Sequence, residues 1–453
     1  MTSEEYWQKR AEEREKYWHK KSAATIEKEM ADQFEMAAEE IRKDISAFYS
    51  QFAEENELSY AEAKRILQGS KFRVWRMSIE EYIEQIEKAE GNGFLLELNT
   101  LAMRSRISPL DKLYGETLMA LDRLGRKVDV GMRSFLTDAY KDNYYRGLFE
   151  IGKSGVALPG VNALKESDID AVIRARWSGK NFSERIWNNT KELGKTVQRA
   201  MTNAAHRGSD MQAMTDEVAR YLKGGHGYNS AVRLVRTELN YVENMAALDS
   251  IKDAGMRYYR FTATLDERTS DRCREYDGHI YAVEDASPGD NMPPLHPRCR
   301  SVISGSVKGE KDARPRKGTR AARDEAGENI RVPADMRYAY WYRKYVDTRG
   351  SKYGIIKADK EVSGHASAPK KSNPYDIVDH LDRNGKTDKR TFYDNTGKPY
   401  FEINVTDHNQ PKRHKYGKHG EHAHDIQWTK DGKSVRSTRN LYDFERKDNG
   451  DIL

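Results

Sequence analysis

The chain has 453 residues, 37% apolar and 33% charged, with a net charge of +6. That length suggests two or three domains, the lean apolar content and strongly negative mean hydropathy exclude one large compact core, and no apolar run approaches the ~18 residues of a membrane span. A charge this small does not by itself indicate nucleic-acid binding, and two cysteines cannot make a disulfide framework; they fit a reducing compartment, or one metal or thiol site.

The charged start, MTSEEYWQKRAEER, lacks the apolar centre of a secretory signal. Residues 1–70 read as N-terminal amphipathic helices. Met30, Phe34, Ala37, Ile41, Ile45, Phe48 and Phe52 advance by threes and fours, which draws one stripe down a helix. Tyr6, Trp7, Tyr17 and Trp18 precede it between dense charges. Helices this polar must lie on their own body or on a partner, and the sequence leaves both open. Ser59-x-x-Glu62 and Ser78-x-x-Glu81 are capping boxes that mark further helix starts. Helical periodicity continues through Leu95–Met103 and Leu110–Leu124, and another helix is expected over about Met132–Gly152.

Beyond Ile169, Ser178-Gly179 ends one helix and Asn181–Ser183 starts the next. His206–Ser209 forms a helix–turn–helix joint, and Gly224, Gly225 and Gly227 make a loop. The amphipathic helix that follows carries Arg233, Arg236 and Glu238, charges expected in ion pairs before catalysis. YYRFTAT is a strand, DERTSDRC a turn with a short helix, and DGHIYAV a turn and second strand. SPGDNMPPLHPRCRS is an irregular loop in which Pro288, Pro293, Pro294 and Pro297 fix φ and remove donors. Residues 308–325 read as a charged connector. A proline-capped helix then aligns Tyr338, Trp341, Tyr342 and Tyr345. A linker, 347–373, leads to two hairpins, one around Asp394–Gly397 and one around Lys430–Gly432. The fold expected is a mainly α body with a small αβ Cys/His-containing closure and a separate small α+β C-terminal domain. The divisions are 1–70, 71–346, 347–373 and 374–453.

The pattern Asp266-Glu267-Arg268-Thr269, Cys273, Asp277-Gly278 and Pro294-Leu295-His296-Pro297-Arg298-Cys299-Arg300 resembles the Mu F-like phage head morphogenesis family. Tyr6–Trp18, Trp177–Asn181 with Arg185-Ile186-Trp187, Arg236-Thr237-Glu238, and Val332-Pro333-Ala334 with Tyr338 and Trp341 look like the same family. The resemblance covers about 1–346. It implies a minor capsid protein that works with the portal protein and with capsid or scaffold proteins, contacts packaged DNA, and affects packaging or ejection. It also implies residence in the virion, at the capsid interior or portal, and in the bacterial host cytoplasm during assembly, with no membrane partner. Asp266, Asp277, Gly278, Pro297 and Arg300 are then structural motif residues. Many members carry C-x-x-C and HP-x-C-x-C, whereas Ser270 and Ser301 stand at the first and last of those positions here. Cys273, His279, His296 and Cys299 remain as a chemically adequate two-Cys, two-His zinc set. The alternatives are a proline-locked loop with buried cysteines and a Cys273–Cys299 disulfide.

Six of the twelve histidines lie between His380 and His424. This C-terminal part resembles effector modules of phage head proteins and polymorphic toxins, some of which are metal-independent RNases acting on host RNA. His408, His414, His422 and His424 are candidate catalytic acids and bases, and Lys412, Arg413, Lys415 and Lys418 candidate phosphate ligands. His422 and His424, two apart on a strand, face the same way. With Asp407 or Asp425 they equally suit a metal, and a solvated loop touching DNA or a capsid protein is the third reading. Asn409 follows His408, where the resemblance implies glycine.

Overall fold

A computed structural model describes residues 3–55, 109–156, 158, 164–207, 211–224, 227–309, 318–347, 354–363, 369–407, 416–428 and 432–453. The capping boxes near 59 and 78 and the periodic stretch 95–103 lie outside the described residues, as do 408–415, with His408, Lys412, Arg413, His414 and Lys415. No described helix is long and apolar enough to cross a membrane.

Two helices open the chain, α1 (Ser3–Ala24) and α2 (Ile26–Glu55). The stripe of α2 is buried from Met30 to Phe48. Trp7 and Trp18 anchor α1. Their indole N–H groups donate to the Glu150 carbonyl at 3.2 Å and to the Asp142 carboxylate at 2.9 Å. The N-terminal helices therefore lie on their own body.

Asp142 and Glu150 belong to α3 (Pro109–Lys153), a continuous helix of 45 residues. The sequence suggested two helices with a break between Leu124 and Met132, where Gly125 and Gly131 fall. The glycines instead permit close packing. A Cβ at Gly125 would meet the Trp187 ring at 3.1 Å, and one at Gly131 would meet Ile26 at 3.2 Å. Four helices follow: α4 (Glu166–Ile173), α5 (Phe182–Arg207), α6 (Met211–Lys223) and α7 (Tyr228–Asp253). Asn181 and Glu184 start α5 with reciprocal side chain–backbone bonds of 2.8 and 2.9 Å. Buried residues from α1–α7 form one apolar core. Within it, α7 joins α2 through Arg236, which grips Glu27 with two bonds of 3.0 and 2.7 Å.

The body closes on a three-stranded antiparallel sheet ordered β2-β1-β3, with β1 Tyr258–Thr262, β2 Ile280–Ala282 and β3 Val302–Ser306. A short helix, α8 (Asp271–Tyr276), lies between β1 and β2. β3 was not expected, because only Val302 and Ile303 of VISGS favour a strand and they follow directly on the proline-rich loop. It exists because α7 receives it: Asn240 Nδ2 donates to the Ser301 carbonyl at 2.9 Å, and the Asn244 side-chain Oδ1 accepts from Ile303 N–H at 2.9 Å.

The stretch read as a charged connector contributes β4 (Thr319–Arg323), paired with β5 (Asn329–Pro333), before α9 (Tyr338–Tyr345). The last part is a six-stranded sheet ordered β11-β10-β9-β8-β7-β6 and ending in α10 (Asp443–Asp448). Its strands are β6 Lys360–Ser363, β7 Ile377–Leu381, β8 Thr387–Tyr393, β9 Pro399–Asn404, β10 His422–Trp428 and β11 Ser434–Arg439. β8–β9 and β10–β11 are the two expected hairpins. β6, from within 347–373, pairs parallel to β7, and the other neighbours are antiparallel. One sheet face (Ile377, Phe392, Phe401, Ile403, Ala423) packs with Tyr340 and Trp341 of α9 and with Leu265, Ala322 and Val332. A small α+β region follows the helical body, and the two meet through this second core.

Candidate functional site

Ser270 caps α8, its hydroxyl accepting from the Cys273 amide at 3.3 Å. This turns the Cys273 side chain inward, toward the loop that ends at Cys299. Cys273 Sγ lies 3.3 Å from His296 Nε2 and 3.6 Å from Cys299 Sγ, and both cysteines are free and buried. Phe261, Ala263 and Leu295 complete their surroundings. His296 Nδ1 lies 2.8 Å from the Pro297 carbonyl. Donation there fixes the ring orientation and turns Nε2 toward the sulfurs, the usual support of a metal-bound histidine.

The donor set fits zinc. A tetrahedron built on zinc–sulfur bonds of roughly 2.3 Å places two sulfurs about 3.8 Å apart. The three ligand atoms lie within 4.8 Å of one another. His279 does not join them, because its Nδ1 is 2.9 Å from Gln427 Nε2 of β10. The four-residue zinc set read from sequence is thus brought together as three. Bonding to Cys299 and burial push the Cys273 thiol up. Burial also opposes ionisation of Cys299, but the bonds from Cys273 and His296 outweigh it and hold Cys299 well below the ordinary thiol value.

The motif residues frame this clasp. Arg300 grips Asp266 with two bonds of 2.7 Å, and Asp266 also accepts from the Arg268 amide at 3.1 Å. Burial would raise the Asp266 carboxyl, yet Arg300 holds it below the ordinary value. Asp277 accepts from the Ala263 amide at 2.9 Å and from Arg320 of β4 at 3.0 Å. Gly278 turns the chain at φ +83°, a conformation natural to glycine. Pro297 supplies the carbonyl that orients His296. Asn240, Asn244 and Arg320 were missed in the sequence. Two sit in a helix read only for its charges and one in a stretch whose composition suggested solvated charge.

A second cluster occupies the polar face of the C-terminal sheet. His422 and His424 lie on β10 with their Nε2 atoms 3.2 Å apart. His422 Nδ1 is 2.8 Å from the Gly420 carbonyl, and His424 Nδ1 is 3.0 Å from Thr438 Oγ1. The strand register sets Glu402 opposite His424 and Asn404 opposite His422. Glu402 is buried with no hydrogen bond to either oxygen. Arg436 Nη1 stands at an ion-pair distance of 3.2 Å without hydrogen-bond alignment. His380 Nε2, Thr391 Oγ1 and Asn404 Nδ2 on the same face are also buried and unbonded. Lys418 is exposed on the turn before β10, and its amide donates to Glu421 at 3.0 Å. Asp425 faces the other way, paired with Arg439 at 2.7 Å, and so does not join the histidines.

A helical body is thus joined to a small sheet by buried polar contacts and a Cys/His clasp, and Cys273, His296 and Cys299 form the metal-competent group found among the described residues. Residues 195–304, from the middle of α5 through α6, α7 and the clasp into β3, match the family described as phage Mu protein F like protein. The match supports a phage head morphogenesis role and, with it, other phage head proteins as partners. No curated protein and no solved structure matches the chain.

Proposed function

We propose that this chain is a minor head protein of a tailed phage, docking at the portal or inner capsid surface during head assembly and influencing DNA packaging or ejection. The observation that carries this reading is the coincidence of the Mu F-like match with one mechanical unit, the α5–α7 helices, three-stranded sheet and clasp, held against long N-terminal helices. Portal, capsid and scaffold proteins are the proposed partners. The test is to inactivate the gene in its phage and examine heads and titre. Loss of packaged heads, restored by the wild-type chain, is expected; normal heads at normal titre would overturn the reading.

Zinc belongs to the same proposal. Cys273, His296 and Cys299 would hold it, and the ion would supply folding free energy to a loop with little apolar content. Metal analysis of the purified full chain should find about one zinc per chain, lost in Cys299→Ser. A wild-type chain that carries none after purification with added zinc would remove the ion from the account.

The paired imidazoles favour a second reading, compatible with the first, in which the C-terminal sheet is a virion-borne RNase-like module acting on host RNA. One of His422 and His424 would take the 2′-hydroxyl proton while that oxygen attacks phosphorus. The other would protonate the departing 5′-oxygen, leaving a 2′,3′-cyclic phosphate. Lys418 would neutralise the phosphate. Full-length protein should cleave an RNA oligomer but not its 2′-deoxy analogue, with His422→Ala and His424→Ala each inactive; equal cleavage by wild type and variants would sink the idea.

A further inference from the structure

Beside the clasp, a cavity of ≈530 Å³ opens between the start of α5, the first turns of α7 and the 289–297 loop. Lys180, Arg185, Arg233 and Arg272 line it, with Trp177 and Glu238. The three guanidiniums are held by neutral oxygens. Arg272 donates to the carbonyls of Leu295, at 3.0 Å, and Gly289. Arg185 donates to the Ser178 carbonyl and hydroxyl at 2.9 and 2.7 Å, and Arg233 to the Ser230 hydroxyl at 3.3 Å. Each is thereby oriented. Glu238 is the one carboxylate in the lining, and it is 2% exposed. Its Oε2 accepts the Trp177 indole N–H at 3.0 Å. Its Oε1 is buried with no hydrogen bond, 3.8 Å from Arg185 Nε. Burial pushes this carboxyl up to about 7 despite the bond from Trp177 and the charge of Arg185, so near neutral pH it offsets only a fraction of the surrounding positive charge.

A concave wall of three guanidiniums and a lysine against a single carboxylate suits phosphate oxygens, because each fork presents paired N–H donors at fixed spacing. The volume lies within the usual range for a small-ligand site. The free Glu238 oxygen adds an acceptor that phosphate itself cannot use, but that an N–H or O–H on the esterified group can.

We propose that this cavity binds a nucleotide phosphate, with Arg185, Arg233 and Arg272 on the phosphate oxygens and Glu238 Oε1 accepting a hydrogen bond from the base or sugar. The inference uses only the cavity, and it stands whether or not the chain acts in head assembly. The ligand is a unit of a nucleic-acid strand or a free nucleotide.

The test uses the full-length protein, a fluorescein-labelled single-stranded DNA 12-mer followed by anisotropy, and deoxyadenosine monophosphate followed by calorimetry. Arg233→Gln and Arg272→Gln should each weaken binding about tenfold and reduce the salt dependence by about one phosphate contact. Arg220→Gln, on α6 and outside the cavity, is the control and should bind as wild type. Because Arg272 also braces the 289–297 loop, thermal melts accompany each variant; Arg233 makes a single hydrogen bond and carries the result if Arg272→Gln unfolds. Binding of the 12-mer alone identifies a strand site, and comparable binding of the mononucleotide identifies a free-nucleotide site. Wild-type affinity in both arginine variants, an equal loss in Arg220→Gln, or no binding of either probe overturns the proposal.

Discussion

Asp277 accepts from Arg320 and from the Ala263 amide in a setting where its own side chain has no exposure and that of Arg320 has 3%. A buried pair of this kind adds little over well-packed apolar groups, but removing one partner strands a charge. Arg320→Met should therefore destabilise by about 3–5 kcal/mol in chemical denaturation, and Asp277→Asn added to it should restore part of the loss. Half of this pair was legible in the sequence, where Asp277-Gly278 stands out; Arg320 was not, because pairing across 43 residues leaves no local pattern. Glu421 is informative in another way. Burial alone would raise its carboxyl, but the His419 amide and Arg446 hold it at about 2, against an ordinary 4.5. Because the folded value is the lower one, this stabilisation is fully present above about pH 4.5 and disappears as the pH falls toward 2. Glu421→Gln should flatten the acid limb of the stability curve between about pH 5 and 2 while lowering stability at neutral pH.

At the level of elements, α9 shows why the C-terminal sheet is attached to the clasp and not merely tethered to it. Tyr338 donates to the Asp266 carbonyl at 3.0 Å, while Tyr340, two residues on, stacks on Phe392 with ring centroids 5.6 Å apart. Trp341 is fully buried between these contacts. The aromatic periodicity of α9 was visible in the sequence, but not what it faces, because its partners lie on β8, β9 and the loop at Leu265. Strands β3, β4 and β6 were likewise hidden. They are short and mix a few β-branched residues with small, polar or charged ones, and their pairing depends on neighbours far along the chain, which β-propensity does not encode. Trp341→Ala should cost about 3–5 kcal/mol. Hydrogen exchange should then accelerate together in β4–β5 and β7–β9, since one core serves both. Acceleration confined to one of them would show that the two sheets are stabilised independently.

For the whole molecule, the helical body was the most legible part, because α2, α5 and α7 carry period-3.6 stripes or caps that need no tertiary information. The disposition of α1 was not legible, since its charged surface suits a packed strap as well as a free arm for a partner. The structure gives it specific anchors. Besides Trp7 and Trp18, Glu4 accepts from the Ser306 hydroxyl at 2.9 Å and the Val307 amide at 2.8 Å, at the end of β3. A helix with so little apolar surface depends on those few points, and Trp18, 1% exposed, is the largest of them. Trp18→Ala should destabilise by about 3–5 kcal/mol, the usual cost of emptying a buried indole site. The loss should not be confined to α1. Exchange should also quicken in α3, whose Phe135 packs edge-to-face on Trp18 at 5.4 Å. A strap that stiffens the body and a detachable arm differ in this measurement. If Trp18→Ala frees α1 while α3 and the small sheet keep wild-type protection, α1 is an arm, and its aromatic face belongs to a partner in the head.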